Sequence, residues 1–354
     1  MFARLFVIFA VAVAYFSFSI IFQKRKISTF VGMEYLILGF LLSNLPLGQG
    51  LLKPLLFPFL GWIGFLIGLE VDFHYIRKLP ENFLVRTAAW TTGLVAAIAL
   101  GIGLLTTKPV LAVFALALAP ISFRTVSHFI PARGIENRTV LFFVSVVPFF
   151  ILLLFTGIQV ITLPLVSSLY LLCFSALFAI LSRALLSLNH RPEGLLLILI
   201  GVIVLVSETC AVFRISPLIV SFFSGVYLAN TCKKCEPIYR DIATDEKPLY
   251  MLFLLLVGIL AGIPDNPEFL FSALSIVLMT GIFRWLFVKT HWFSLNQHFW
   301  AYFMAPGGLA IAIGTDIWMQ DGATLPKVWF SAFLVAVMVL QAIGVLFGKK
   351  EEAK

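Results

Sequence analysis

Four ionisable residues lie inside long apolar runs of this chain: Glu34, Arg124, Glu208 and Arg284. A charged side chain in lipid is costly and by default signals function, so each is a candidate for chemistry. A carboxylate facing a water-filled cavity takes a proton or binds a cation; a guanidinium holds a carboxylate or attracts an anion. Glu208 is the carboxylate best placed for coupling, and an ion pair with Arg124 or Arg284 is its competing, structural role. Two Ala-Pro steps form another kind of site: Ala119-Pro120, and Ala305-Pro306 followed by Gly307-Gly308. Proline removes a backbone donor and clashes with the preceding turn, and glycine tolerates unwound backbone. The carbonyls so freed become ligands inside the bilayer, where irregular backbone survives only if buried or lining a watery cavity.

The remaining reactive residues carry less. Arg124, four residues past Pro120, adds its charge to the positive end of the half-helix that follows the break, and could hold an internal carboxylate or an anionic substrate. His128 titrates near neutral pH but reads as interfacial. Asp316 and Asp321 read as loop acids at the outer mouth. Cys173 and Cys210 read as small core residues. Cys232 and Cys235 form a Cys-x-x-Cys without a second pair or nearby His, which assigns neither metal nor redox work.

The elements that must position these groups are membrane helices. Hydrophobic residues make up 61% of the 354 and charged residues 12%, with a mean hydropathy of +1.06. That is about half the charge of an ordinary soluble domain, which excludes a soluble enzyme, a nucleic-acid binder and a secreted disulfide scaffold. A spanning helix needs about 20 mainly apolar residues. Thirteen candidates follow: Leu5–Phe22, Phe30–Leu45, Leu55–Leu69, Phe83–Leu105, Val110–Ile130, Val140–Ile161, Leu163–Leu186, Gly194–Val212, Ile215–Leu228, Pro248–Ile263, Phe269–Val288, Phe299–Gly314 and Val328–Phe347. The first is kept as a helix rather than a signal peptide because Lys24–Lys26 follow it directly. The weakest division is at Arg214, between spans eight and nine.

Charge bias tests the count. Of the 25 Lys and Arg, 18 fall at the ends of odd-numbered spans, five on the opposite side (Arg4, Lys53, Lys108, Arg214, Lys327) and two within spans. Cytoplasmic loops carry the excess of Lys and Arg, so the expected topology has the N-terminus outside and the C-terminus in the cytoplasm of a cell inner membrane. Residues 1–348 form one membrane domain, with a short cytoplasmic tail at 349–354.

An internal repeat runs through the spans. Gly39-Phe-Leu-Leu42-Ser-Asn44 and Gly225-Val-Tyr-Leu228-Ala-Asn230 share a pattern 186 residues apart, and the two Ala-Pro steps share that offset; Leu66-Ile-Gly68 and Leu256-Val-Gly258 match at 190. The shift equals seven spans, and an odd shift reverses orientation. The expected architecture is an inverted repeat, residues 5–161 and 194–347 joined by a linker helix at 163–186, with two broken helices crossing near the membrane centre. Inverted repeats with interrupted helices at matching places point to a secondary transporter's binding site.

On these residues the chain resembles the cation:proton antiporter superfamily, nearest the bacterial sodium/proton exchangers and potassium efflux transporters. Tyr35 to Leu42 resembles that family's second span, Leu60 to Asp72 followed by Arg77-Lys78 its third, Ser216 to Asn230 its ninth, Glu236-Pro237 through Gly258 its linker and tenth, and Ala305 to Ala312 its broken twelfth. The resemblance implies an all-α fold of thirteen membrane helices, a homodimer, and alternating access exchanging monovalent cations for protons. Where the family carries an acidic residue in its sixth span this chain has Val147-Pro148, and Val140–Ile161 contains no Asp or Glu. Arg284 lies about a turn beyond the family's basic position in span eleven.

The expected function is therefore antiport of sodium or potassium against protons, with Glu208, Arg124, Arg284 and Glu34 as ion-binding or coupling residues and no cofactor or metal. Alternatives are transport of an anion or organic solute, and a transport-inactive relative serving as sensor or assembly partner. Enzymatic activity is not expected, since no nucleophile–base pair or phosphate-binding glycine loop is present.

Overall fold

The computed structural model describes residues 32–43, 49–77, 81–106, 112–122, 126, 135–187, 192–231, 236–262, 264, 267–289, 302–320 and 325–352. The first expected span, Leu5–Phe22, lies outside them, as do Arg124, His128, Cys232, Cys235 and Asp321. The described residues form helices and no strands: α1 (Met33–Leu42), α2 (Gln49–Leu69), the single turn α3 (Phe73–Ile76), α4 (Glu81–Thr106), α5 (Phe114–Leu118), α6 (Ile135–Thr162), α7 (Leu165–Ser187), α8 (Pro192–Phe213), α9 (Pro217–Thr231), α10 (Glu236–Ala261), α11 (Pro267–Lys289), α12 (Gly307–Gln320) and α13 (Lys327–Glu352). Six carry stretches long and apolar enough to cross a membrane, in α2, α4, α6, α7, α11 and α13. The chain is an all-α, multi-pass membrane protein.

Helix starts follow local chemistry. Pro217 and Pro267 open α9 and α11, since the first helical position needs no N–H and favours proline's fixed φ. Ser216 precedes Pro217 and its Oγ accepts the Ile219 N–H at 3.1 Å, an N-cap. The division at Arg214 is a sharp one. The Ile215 N–H donates to Cys210 O at 3.0 Å and the Arg214 N–H to Ala211 O at 3.3 Å, closing α8 with a left-handed residue at φ 54. Glycine usually fills that position; here it is arginine. α10 begins twelve residues before the expected Pro248, which sits inside it, because apolarity measures depth in lipid rather than helix length. Cys210 is buried as expected, whereas Cys173 is exposed on the outer face of α7.

Two glycine pairs set how the central helices cross. α1 lies on α10 and α2 on α9. A Cβ on Gly39 would stand 2.3 Å from Leu255 O and 2.8 Å from Gly258 Cα; one on Gly225 would stand 2.3 Å from Phe65 O and 3.0 Å from Gly68 C. At both crossings backbone packs on backbone, the small-residue contact that membrane helices use in place of a hydrophobic driving force. Gly39→Ala or Gly225→Ala is expected to lower stability by about 1–3 kcal/mol, the usual cost of overpacking, read as a fall in melting temperature in detergent. Gly157→Ala, where nothing lies within 4 Å of the added methyl, serves as control.

Candidate functional site

The Ala-Pro breaks meet. α5 ends at Leu118, and Ala119, Pro120, Ile121 and Ser122 leave the helix before the Val126 N–H closes a new turn on Ser122 O at 3.0 Å. The other strand of the crossing is a 3-10 turn at Tyr302–Met304, then Ala305 and Pro306, then α12. The Ser122 N–H donates to Ala305 O at 2.9 Å, joining the two breaks directly. Gly307 stands at φ +74, and a Cβ there would lie 2.7 Å from Ser122 Cβ, so both its conformation and its space call for glycine. At Gly308 an added Cβ would lie 1.9 Å from the Tyr250 hydroxyl, which covers the start of α12.

Every buried backbone group must find a partner, and the crossing can be followed donor by donor. In a continuous helix the Ser122 N–H would bond Leu118 O, but it goes to Ala305 instead. The Gly307 N–H would bond Phe303 O, but it donates to Gln341 Oε1 on α13 at 3.1 Å. Leu118 O and Phe303 O are thereby released, one from each broken helix. Arg284 of α11 takes both. Its Nη1 donates to Phe303 O, and its Nη2 to Leu118 O and, at 2.7 Å, to Pro120 O. The side chain is 1% exposed. Trp90 holds the arrangement from the side, edge-on to Phe143, Phe287 and Phe303 at ring-centroid distances of 4.9–6.4 Å. Arg284, expected as a coupling residue or an ion-pair partner of Glu208, thus belongs to the crossing, and its partners there are carbonyl oxygens.

A second buried polar group lies further along α12. Asp316 is 0% exposed, nine residues beyond Gly307 and so about 14 Å along the helix axis. Its Oδ2 accepts from Ser216 Oγ at 2.5 Å and from Gln320 Nε2 at 3.1 Å, while Oδ1 has no hydrogen-bond partner. Gln320 Oε1 in turn accepts from Gln159 Nε2 of α6 at 2.7 Å. The carboxylate is therefore held by the N-cap of α9, a helix end with partial positive charge. Among the described residues Arg284 and Asp316 are the charged side chains that are buried.

This corrects the sequence reading. Asp316 is no loop acid: α12 runs on to Gln320, past the expected end of span twelve at Gly314. The signal was present, since Ile317, Trp318 and Met319 resume the apolar pattern after it. Glu208 is exposed on α8, on the face that also shows Leu205 and Val212. It lies five residues from the helix end and is not brought to the crossing or to Asp316. Glu34 is half-buried in the first turn of α1. Ala119, Pro120, Ala305, Pro306 and Gly307 are buried, and Gly308 is half-buried. Val147, where the sequence resemblance implies an acidic residue, is fully buried in α6, with Pro148 inside the same helix.

No protein-family model matches the chain, and no curated protein matches it in sequence. Among solved structures, it is similar to the sodium proton antiporter MjNhaP1 from Methanocaldococcus jannaschii at pH 8, with a TM-score of 0.65 over 98% of this chain and 99% of that one, at 14% identity. The chain has the fold of a sodium/proton antiporter.

Proposed function

We propose that this protein exchanges a monovalent cation, sodium or potassium, for protons across a membrane by alternating access, and that Asp316 is the coupling carboxylate. The observation that carries the reading is the pair of buried charges and what each is bonded to. Arg284 gives its Nη donors to the carbonyls of the crossing, and among the described residues no carboxylate pairs with it. Asp316 has no cationic partner among the described residues, and a carboxylate buried without one must be neutralised by whatever it binds. With Ser216 and Gln320 both donating to Oδ2, Oδ1 is the open position for a proton or a cation. Both cannot occupy it together, and that competition makes the exchange obligatory.

The same proposal includes thirteen spans in an inverted 6+1+6 arrangement, supported by the paired crossings. An offset of seven spans turns α1 on α10 into α9 on α2, and the glycines that meet there are those of the repeated motifs. It also includes a homodimer, an inner-membrane location and an external N-terminus, the last resting on the Lys and Arg bias. On this orientation Asp316 lies toward the outer side.

The test is the full-length protein in proteoliposomes with an imposed pH gradient and an internal pH dye. Addition of sodium or potassium is expected to dissipate the gradient, and the effective ion identifies the substrate. Ser216→Ala, which removes one donor to Asp316 and the cap of α9, is expected to slow exchange several-fold and to cost about 1 kcal/mol of stability. Ser216→Thr, which keeps the hydroxyl, is expected to retain the rate. Failure of both ions to move protons overturns the proposal.

A further inference from the structure

A cavity of about 430 Å³ opens between the start of α2, the α8–α9 turn and the end of α12, lined by Lys53, Phe57, Ala211, Arg214, Ile215, Met319 and Gln320. Its charge is one-sided. Lys53 and Arg214 both line it, and among the described residues no acidic side chain does. Asp316, bonded to Gln320 Nε2 at 3.1 Å, is fully buried and does not line the cavity. This is the cation-poor end of the bundle, assigned only five of the 25 Lys and Arg, and two of those five converge on one cavity. Among the described residues neither is paired with a carboxylate; Lys53 Nζ rests 5.0 Å from the Trp318 ring centroid.

The backbone at Arg214 adds a second, independent observation. The left-handed position closing α8 disfavours every side chain relative to glycine, yet an arginine holds it, at φ 54. Residues held in sparsely populated backbone regions cluster at ligand clamps, where surrounding structure sustains the strain. The same residue lines the cavity.

We infer that this cavity binds a phosphate-bearing anion, its oxygens between Lys53 and Arg214 and any organic part against Phe57, Ile215 and Met319. A guanidinium and an ammonium are the usual pair for phosphate, one a planar fork and the other a point charge. The anion comes either from solution or from the headgroup of a phospholipid in the adjoining leaflet. Bound, it neutralises the mouth; unbound, the two cations stand as a barrier to positive ions approaching Gln320 and Asp316.

Binding is measured without any ion gradient, which separates it from the exchange reaction. Full-length protein in a neutral detergent is titrated with inorganic phosphate against sodium chloride of equal ionic strength, following the melting temperature. In parallel it is placed in nanodiscs of mixed dioleoyl phosphatidylglycerol and phosphatidylcholine, and retained lipid is read by native mass spectrometry. A saturable phosphate-dependent rise in melting temperature identifies a soluble anion, and enrichment of phosphatidylglycerol identifies the headgroup. Arg214→Gly is the decisive variant. Glycine relieves the left-handed turn, so the protein melts at or above the wild-type temperature without ligand, while phosphate affinity or lipid enrichment falls about tenfold or more. Lys53→Gln is expected to weaken the same signal without the gain in stability. Absence of both signals overturns the inference, as does either signal persisting unchanged in both variants.

Discussion

Replacing Asp316 by asparagine is expected to bring cation-dependent proton movement down to the level of protein-free vesicles while leaving the fold intact. Asparagine keeps the shape and an acceptor oxygen for Ser216 Oγ and Gln320 Nε2, but it cannot take up a proton or balance a bound cation. Melting temperature should be equal to or above that of the wild type, because a buried carboxylate without a counter-charge opposes folding. Glu208→Gln is the matched control. Its carboxylate points out of the bundle, and exchange should continue at the wild-type rate. If Asp316→Asn retained exchange and Glu208→Gln lost it, the assignment of the coupling group would be reversed.

Arg284→Leu is expected to produce the largest loss of stability of any single substitution discussed. Leucine leaves Leu118 O, Phe303 O and Pro120 O without the donor each now has. An unsatisfied buried acceptor costs about 1–3 kcal/mol, so the three together amount to about 3 kcal/mol or more. The effect is read as a fall in melting temperature and as a change in tryptophan emission, since Trp90 packs against the ring of Phe303. Arg284→Lys is expected to be intermediate. An ammonium supplies three donors but not a planar fork that reaches two separate segments of the chain. A leucine variant as stable as the wild type would show that the guanidinium does not fasten the crossing.

Much of this was legible in the sequence, for reasons that can be named. The apolar runs and charge bias read the lipid environment directly, and the described helices fall on the spans they mark. The two Ala-Pro steps announced their breaks because proline's missing N–H is a covalent fact that packing cannot override. The meeting of the breaks followed from the shared offset of 186 residues. The roles of individual charges were harder to see. Glu208 and Asp316 are both carboxylates flanked by apolar residues, and what separates them is which side of its helix each occupies. The apolar run of span twelve ends at Gly314 and leaves Asp316 looking like a loop acid; the helix carries it into the interior, where Ser216 and Gln320, remote or later in sequence, both donate to its Oδ2. Arg284 is legible as a membrane charge, but its partners are backbone carbonyls, which carry no letter in the sequence.

The fastening of the crossing is one-sided. Under the proposed two-fold relation between halves, the offset of 186 residues carries Arg284 onto Ile98, a fully buried aliphatic residue of α4. A single guanidinium, lent by the later half, therefore serves broken ends from both. If the molecule arose by gene doubling, the copies have since specialised: two earlier halves joined together would lack the clasp entirely, and two later halves would crowd a pair of cations into one hole. Neither half could now stand in for its sibling.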